Sequence, residues 1–313
     1  MEAWVSQAFL DDNLDSLVYW PKNQWVITTA KGTHDLVVFA ARRGELVTRF
    51  GQAGSGAGQF LRPNGIAVSD NLLFVVERDN HRVQVLRLPE FQPLGTFGED
   101  ILRKPYGIAL YLSEEDRYEV FISDNYETPG GNIPPVSRLG ERVKHFQLDL
   151  HGMGIEARFV RSFGETQGEG ILHKVESLAV DSLYDRVLIA EELQTEMAIK
   201  IYTPEGEFTG RILGRQIFKF EPEGIALYTE GDGGFWVFTD QEENRTIFHV
   251  FGRVDLDYLG SFSGEKAANT DGICITDLPF PGFPRGALFA VHDDRQVAAF
   301  SWERILAGMK LSQ

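Results

Sequence analysis

A short apolar pattern recurs six times along the chain, each time after a polar residue followed by a small one. The copies span residues 14–18, 63–68, 105–110, 175–180, 222–227 and 270–275. Most intervals are 42 to 49 residues, and the interval from Tyr106 to Glu176 is 70. A period of this size, with several strand patterns per repeat, is typical of a β-propeller. The sequence therefore predicts an all-β fold of six four-stranded antiparallel blades, in a single domain over residues 1–313.

The sixth repeat is one strand short. After the strand pattern of residues 297–302 the β pattern stops, and residues 305–309 look helical. Residues 3–9 form a strand pattern ahead of the first repeat. We therefore predict that the N-terminal strand completes the last blade, which would remove an exposed sheet edge.

Two segments interrupt the repeats. The glycine-rich residues 51–58 lack the Gly-Lys-Ser/Thr ending of a phosphate-binding loop, so we interpret them as a flexible turn between blades. Residues 128–142 contain Gly-Gly and Pro-Pro pairs and account for most of the long interval. We predict that this second segment is an irregular insertion in blade 3.

The polar residue that opens each copy occupies an equivalent position, and these six residues are called the first ring. They are Asp15, Asn64, Tyr106, Glu176, Glu223 and Asp271. Since the first strand of a propeller blade lines the central channel, the first ring is expected at one mouth of that channel. The ends of the second strands, expected beside it, are Lys31, Arg78, Asp124, Glu192, Gln241 and His292/Asp293. Converging carboxylates repel one another unless a cation neutralises them, although polar residues are also common where a strand leaves a loop.

The overall charge is consistent with cation binding. The chain has 46 acidic and 30 basic residues and a formal net charge of −16, which argues against a nucleic-acid partner. Solubility alone could explain such a charge. Carboxylate and amide oxygens suit Ca²⁺, and we expect several calcium sites. Zinc is not expected because only His292 of the seven histidines lies near the predicted mouth.

The cysteine content and the lack of long apolar segments bear on the kind of protein. Cys274, the single cysteine, cannot form an intrachain disulfide and is interpreted as a buried small residue. The sequence contains no run of 18 apolar residues, so no membrane span is predicted. Residues 1–10 lack the pattern of a signal peptide. We expect a monomer with no membrane or nucleic-acid partner, and the sequence leaves the cellular compartment open.

Blade 2 resembles an NHL repeat. The resemblance rests on Gly58-Gln59-Phe60, on the inner-strand copy at residues 63–68 and on the strand–turn–strand pattern of residues 73–85.

The chain as a whole resembles the β-propeller phytases. Seven motifs carry the resemblance in order: residues 12–20 (DNLDSLVYW), 27–31 (ITTAK), 106–111 (YGIALY), 189–192 (IAEE), 221–224 (EPEG), 269–273 (NTDGI) and 302–305 (WERI). Members of that family are six-bladed, calcium-dependent phosphatases of inositol hexakisphosphate and are usually secreted or periplasmic. The resemblance therefore implies a small phosphorylated substrate, such as an inositol phosphate.

The resemblance also implies roles for particular residues. The implied metal ligands are Asp15, Glu176, Glu192, Glu221, Glu223 and Gln241, and Asp271 joins them by its place in the first ring. The implied substrate-binding residues are Lys31, Arg62, Arg78, Asn64 and Tyr106. Glu192, Glu223 and Lys31 are the expected catalytic residues.

Several positions depart from the family pattern. The paired Asp-Asp-Pro of the family is Asp15-Ser16-Leu17 here, so one carboxylate is missing. The double Asn before blade 2 is Asn64-Gly65, and a lysine expected near Asp124 has no counterpart. The acidic loop before Asp271 is short. These changes weaken the substrate side more than the metal side.

Three functions are compatible with the sequence. The first is a calcium-dependent phosphoric monoester hydrolase that uses metal-activated water at the channel mouth. The second is a calcium-binding propeller lactonase, which also needs axial carboxylates and amides but no cationic cluster. The third is a non-catalytic, NHL-like binding propeller, which the resemblance of blade 2 favours.

Overall fold

The computed structural model describes residues 2–115, 117–152 and 154–311. It confirms the predicted class, an all-β, six-bladed β-propeller of four-stranded antiparallel blades. The strands are β1 (Trp4–Val5), β2 (Leu14–Trp20), β3 (Trp25–Ala30), β4 (Asp35–Ala40), β5 (Leu46–Phe50), β6 (Pro63–Ser69), β7 (Leu72–Glu77), β8 (Arg82–Arg87), β9 (Gln92–Phe97), β10 (Pro105–Glu114), β11 (Arg117–Asp124), β12 (Val143–His151), β13 (Gly154–Phe163), β14 (Leu178–Asp181), β15 (Arg186–Glu191), β16 (Ala198–Tyr202), β17 (Phe208–Leu213), β18 (Glu221–Glu230), β19 (Gly233–Gln241), β20 (Ile247–Gly252), β21 (Tyr258–Ser263), β22 (Ile273–Thr276), β23 (Ala287–His292) and β24 (Gln296–Ser301).

The blades fall into two compact units, described here in turn. The first unit comprises residues 1–51 and 219–313, and the second comprises residues 52–218. The prediction of a single domain over residues 1–313 remains a prediction.

The first unit contains blades 5, 6 and 1, whose inner strands are β18, β22 and β2 respectively. In this order the inner strands lie side by side. Blade 6 has the order β1-β24-β23-β22, with Trp4 opposite Ala299 and Val5 opposite Ala298. The predicted completion of this blade by the N-terminal strand is therefore confirmed. The predicted helix is α1 (Trp302–Met309), which begins three residues before the expected segment. No helix among the described residues has the length and hydropathy needed to cross a membrane.

The second unit contains blades 2, 3 and 4, with inner strands β6, β10 and β14 in sequence. Residues 128–142 form the predicted irregular insertion between β11 and β12, with one short 3₁₀ turn at Val136–Arg138. The apolar residues of neighbouring blades pack together, as where Phe74 of β7 contacts Tyr118 of β11 with ring centroids 5.7 Å apart.

A buried carboxylate ends the second strand of each blade in the second unit. Glu77, Asp124 and Glu191 are fully buried. Each accepts a backbone N–H from the segment that leads into the inner strand, at 3.2 Å from Leu61, 2.7 Å from Lys104 and 3.0 Å from Lys174. These bonds fix the chain just before each first-ring residue. In the first unit, Asp240 accepts backbone N–H groups in the same way.

The position of Asp124 therefore differs from the predicted one, which was beside the first ring. In blades 2 and 3 the opening proline pairs with the buried acid, Pro63 with Glu77 and Pro105 with Asp124. Asp124 is thus equivalent to Glu77, and the equivalent of Arg78 is the next residue, Asn125. The sequence did not show the difference because the two positions are adjacent and both are polar.

Blade 4 repeats the NHL-like arrangement of blade 2 with different residues. In blade 2 the buried Arg82 donates to Glu77 and to the carbonyl of Ser55 in the glycine-rich loop, both at 2.7 Å. In blade 4 the ammonium of Lys200 lies 3.6 Å from Glu191 and donates to the carbonyl of Ile171. The glycine-rich segment at residues 51–58 was expected to be flexible, but buried side chains of blade 2 bond to its backbone and anchor it.

The glycine of the inner-strand pattern is required by a close approach between blades. A Cβ atom on Gly65 would lie 2.3 Å from the carbonyl oxygen of Tyr106, and one on Gly107 would lie 2.3 Å from that of Glu176. In the first unit, a Cβ on Gly272 would lie 2.5 Å from the carbonyl oxygen of Asp15. The backbone of one blade thus packs directly against the first-ring residue of the next.

Glu2 anchors the N-terminal strand through its carboxylate, which accepts the backbone N–H groups of Glu265, Lys266 and Ala267 at 3.1, 2.8 and 2.9 Å. Partial burial opposes ionisation, but the N–H groups of Ala267, Lys266 and Glu265 outweigh it and lower the pKa of Glu2 from 4.5 to about 2.

We expect Glu2→Gln to lower the free energy of unfolding by about 1 kcal/mol at neutral pH, since the site is partly exposed to solvent. A lowered folded-state pKa stabilises the protein above the unfolded value and loses this effect as the pH falls from 4.5 toward 2. Urea unfolding at several pH values checks this, with Glu45→Gln as the control. A deficit that stays constant down to pH 2 would contradict it.

Candidate functional site

Two glutamates lie side by side in the second unit. Carboxylate oxygens of Glu176 and Glu192 approach within 4.8 Å of each other. Glu192 is 1% exposed, and its backbone N–H bonds to the carbonyl of Lys174 at 2.9 Å. The ammonium of Lys174 is 3.2 Å from Oε2 of Glu192. Two carboxylates with one ammonium keep a net negative charge, and the hard carboxylate oxygens fit a cation such as Ca²⁺.

The backbone holds Glu176 firmly. The hydroxyl of Ser123 accepts the N–H of Gly107 at 2.8 Å and donates to the carbonyl of Glu176. Ser123 belongs to β11, and Glu176 precedes β14, so blade 3 positions a first-ring residue of blade 4. The side chain of Glu176 is therefore presented from a fixed backbone.

Tyr106 interacts with Glu176 and with two cationic groups. Burial raises the pKa of Tyr106, as does the charge of Glu176, while Lys104 and Arg78 oppose the shift. Arg78 interacts electrostatically with Tyr106 and donates a hydrogen bond to Asp79 at 2.6 Å. The ammonium of Lys104 is 5.6 Å from the ring centre of Tyr106. Groups of both charge signs thus lie near this tyrosine.

The neighbouring predicted residues lie at the start of blade 2. The carbonyl of Arg62 accepts the N–H of Arg78 at 3.1 Å, and Asn64 is 1% exposed. Their roles in substrate binding remain predictions. The bond to Arg62 places the backbone of Arg78 next to the first strand of blade 2.

Lys104 and Lys174 were missed by the sequence analysis, although the repeat contains a signal for them. Arg62, Lys104 and Lys174 each stand two residues before a first-ring residue. The signal is specific to blades 2, 3 and 4, since the equivalent residues elsewhere are Asn13, Glu221 and Asn269.

In the first unit, Lys31 lies between two predicted metal ligands. Its ammonium forms an ion pair with Asp15 and lies 3.5 Å from Oδ2 of Asp271. The amide of Gln241 donates to Oδ1 of Asp271, and the hydroxyl of Ser16 donates to Asp15 at 2.8 Å. Lys31 therefore supplies to Asp15 and Asp271 the positive charge that the sequence analysis assigned to a metal.

Asp294 extends this network. Its carboxylate accepts hydrogen bonds from the amides of Asn13 and Asn269, both at 3.3 Å. Burial raises the pKa of Asp294, the charge of Lys31 opposes this, and the charge of Asp15 adds to it. The polar network of the first unit therefore contains more acids than the ring pattern identified.

The two remaining predicted ligands of the first unit lie on β18. Glu221 is its first residue and pairs in register with Gln241. Glu223 is 8% exposed, and a Cβ on the following Gly224 would lie 2.8 Å from the carbonyl oxygen of Asp271. The predicted roles of Glu221, Glu223 and Gln241 in metal binding remain predictions.

Comparison with known proteins identifies one repeat. A family model of the NHL repeat matches residues 60–86, which lie in blade 2. No curated protein matches the chain at the sequence level.

Solved structures with a similar fold have low sequence identity. The structure of a nidogen/laminin complex matches with a TM-score of 0.52 and 13% identity, covering 83% of this chain and 82% of the other. Kuenenia stuttgartiensis hydrazine synthase matches with a TM-score of 0.55 and 11% identity, covering 97% and 81%. Virginiamycin B lyase from Staphylococcus aureus matches with a TM-score of 0.52 and 13% identity, covering 93% and 81%. At this identity the likeness shows the propeller fold and no activity.

Proposed function

We propose that this propeller is a calcium-dependent hydrolase of small phosphoric monoesters, such as an inositol phosphate. The observation that carries the proposal is the arrangement around Tyr106 in the second unit. Tyr106 lies near Glu176, whose carboxylate is within 4.8 Å of that of Glu192, and near the cations Arg78 and Lys104. A site that binds a phosphate ester together with a metal ion needs carboxylates for the ion and cationic side chains for the phosphate.

Glu176 and Glu192 would hold the ion. Ca²⁺ takes six to eight oxygen ligands, so these two side chains supply only part of a coordination shell. When bound, such an ion would stabilise negative charge on the phosphate group and in the transition state. The resemblance to β-propeller phytases supports calcium over other ions.

The cationic residues would bind the phosphate. The guanidinium of Arg78, which donates two hydrogen bonds to Asp79, and the ammonium of Lys104, which pairs with Glu127, would turn to the phosphate oxygens when an ester binds. Hydrolysis then joins the oxygen of a water to phosphorus and breaks the ester P–O bond, and the alcohol leaves with a proton. Lys31 and Glu223 keep their predicted catalytic roles as part of this proposal, from the resemblance alone.

The direct test is phosphate release from p-nitrophenyl phosphate and from phytate, each with calcium and with a chelator. We expect release that requires calcium. Glu192→Gln should reduce turnover at least about tenfold, with partial recovery at high calcium, because one ligand charge is lost. Glu90→Gln, an exposed glutamate of the same unit, should behave like the parent.

Arg78→Met separates substrate binding from metal binding. It should raise the KM for the ester while leaving calcium affinity unchanged. A calcium-loaded parent protein that releases no phosphate from any of several monoesters would contradict the proposal.

A non-catalytic binding propeller is the second candidate, and the NHL repeat at residues 60–86 favours it. It predicts no turnover in the parent or in any variant. A calcium-binding lactonase predicts turnover of a lactone that Arg78→Met leaves unchanged, because a neutral lactone needs no cation at that position. The cations around Tyr106 favour the phosphatase over the lactonase.

A further inference from the structure

The insertion of blade 3 borders an open cavity that the proposed hydrolysis does not use. The cavity has a volume of about 600 Å³, and its lining includes Arg103, Tyr126, Glu127, Pro134, Arg138 and Glu141. All of these residues belong to the second unit. The blade itself is complete without residues 128–142, since β11 and β12 pair directly over seven positions.

Tyr126 forms a fixed wall of the cavity. Its side chain is 5% exposed, and its hydroxyl donates to the carbonyl of Arg138. The fully buried Arg142 donates to the carbonyl of Tyr126 at 2.7 Å, and its guanidinium lies 4.6 Å from the ring centre. Arg103 lies 4.0 Å from the same ring centre. The aromatic ring and the guanidinium of Arg103 are thus held in position before any ligand binds.

The carboxylates at the cavity already have cationic partners. Glu141 forms an ion pair with Arg103, and Glu127 forms one with Lys104 at 2.6 Å. Arg138 is exposed on the 3₁₀ turn and has no ion-pair partner among the residues that the structure describes. Its guanidinium is therefore available to an anion.

The charge at the cavity differs from that of the whole protein, whose formal net charge is −16. The lining carries two cations, Arg103 and Arg138, and two acids, Glu127 and Glu141. Because both acids already have cationic partners, the guanidinium of Arg138 favours an anionic ligand.

The remaining lining is apolar in part. Pro129, Pro134 and Tyr126 are among the lining residues. A bare inorganic anion would leave these surfaces uncovered, whereas a ligand with an apolar body would bury them. We propose that the cavity binds a small organic anion, in which an apolar body carries a carboxylate or a phosphate that Arg138 holds. This site does not depend on the proposed hydrolase activity.

The test is a titration followed by NMR or calorimetry, with chelator present so that the Glu176–Glu192 pair holds no metal. Benzoate and phenyl phosphate should each bind saturably, and the tighter of the two identifies the preferred head group. Benzyl alcohol, which lacks the charge, and inorganic phosphate, which lacks the apolar body, should each bind at least about tenfold more weakly.

Arg138→Met assigns the binding to the cavity. It should weaken benzoate and phenyl phosphate about tenfold, the effect of one lost charged hydrogen bond. Arg43→Met, an exposed arginine of the other unit, should change nothing. The proposal is overturned if neither organic anion binds saturably, if inorganic phosphate binds as tightly as they do, or if Arg138→Met binds as tightly as Arg43→Met.

Discussion

Gly107→Ala is expected to lower the free energy of unfolding by about 2–3 kcal/mol, in the range of overpacked cores. The new Cβ would lie 2.3 Å from the carbonyl oxygen of Glu176, 3.0 Å from Leu178 and 3.2 Å from the hydroxyl of Ser123. A backbone carbonyl cannot rotate away as a flexible side chain can, so β10 or the start of blade 4 must shift. Because that carbonyl belongs to Glu176, the variant should also bind calcium more weakly.

Gly308 provides the matched control. It lies within α1, and a Cβ added there would have no atom within 4 Å. Gly308→Ala should stabilise the protein by about 0.5–1 kcal/mol through helix propensity. Urea unfolding of both variants gives the comparison, and a Gly107→Ala midpoint equal to that of the parent would contradict the close approach between blades 3 and 4.

Lys31→Met is expected to destabilise the protein by about 1–3 kcal/mol in the presence of chelator, discounted for partial exposure. The side chains of Lys31, Asp15 and Asp271 are 16%, 12% and 19% exposed, and the substitution leaves both carboxylates without this ammonium. Calcium at millimolar concentration should restore part of the loss, since two carboxylates then offer hard oxygen ligands to an ion that binds only the folded state.

Lys31→Arg is the control because it keeps a positive charge between the two aspartates. It should melt close to the parent and gain no more from calcium than the parent does. Melting temperatures of all three proteins, with calcium and with chelator, provide the measurement. A Lys31→Met protein that melts like the parent in chelator would show that the ion pairs contribute nothing to stability.

The fold could be predicted from the sequence because its determinants are local and repeated. The interval between copies, the alternating apolar residues and the missing last strand specified the blades and the closure of blade 6 by residues near Trp4. The same repeat placed Tyr106 and Glu176 in the first ring and Glu192 beside it, at the end of a second strand. Equivalent positions in repeated units have equivalent surroundings, so one correct alignment places many residues.

The details of the polar groups could not be predicted in this way. The ion pairs of Lys31 join residues 16 and 240 positions apart along the chain, and their geometry depends on side-chain direction. The position of Asp124 was wrong by one residue because Asp124 and Asn125 are both polar, and only strand register distinguishes them. The cavity at Tyr126 lies beside an insertion without repeat equivalents, so the repeat gave no information about it.

Calcium binding by the Glu176–Glu192 pair is the claim on which the proposed function rests, and isothermal titration calorimetry tests it most directly. Calcium added to the metal-free parent and to Glu90→Gln should give the same saturable binding. Glu192→Gln should bind about tenfold more weakly, because it removes one charge from a carboxylate that is 1% exposed. No measurable binding by the parent at millimolar calcium, or an unchanged affinity in Glu192→Gln, would contradict the account.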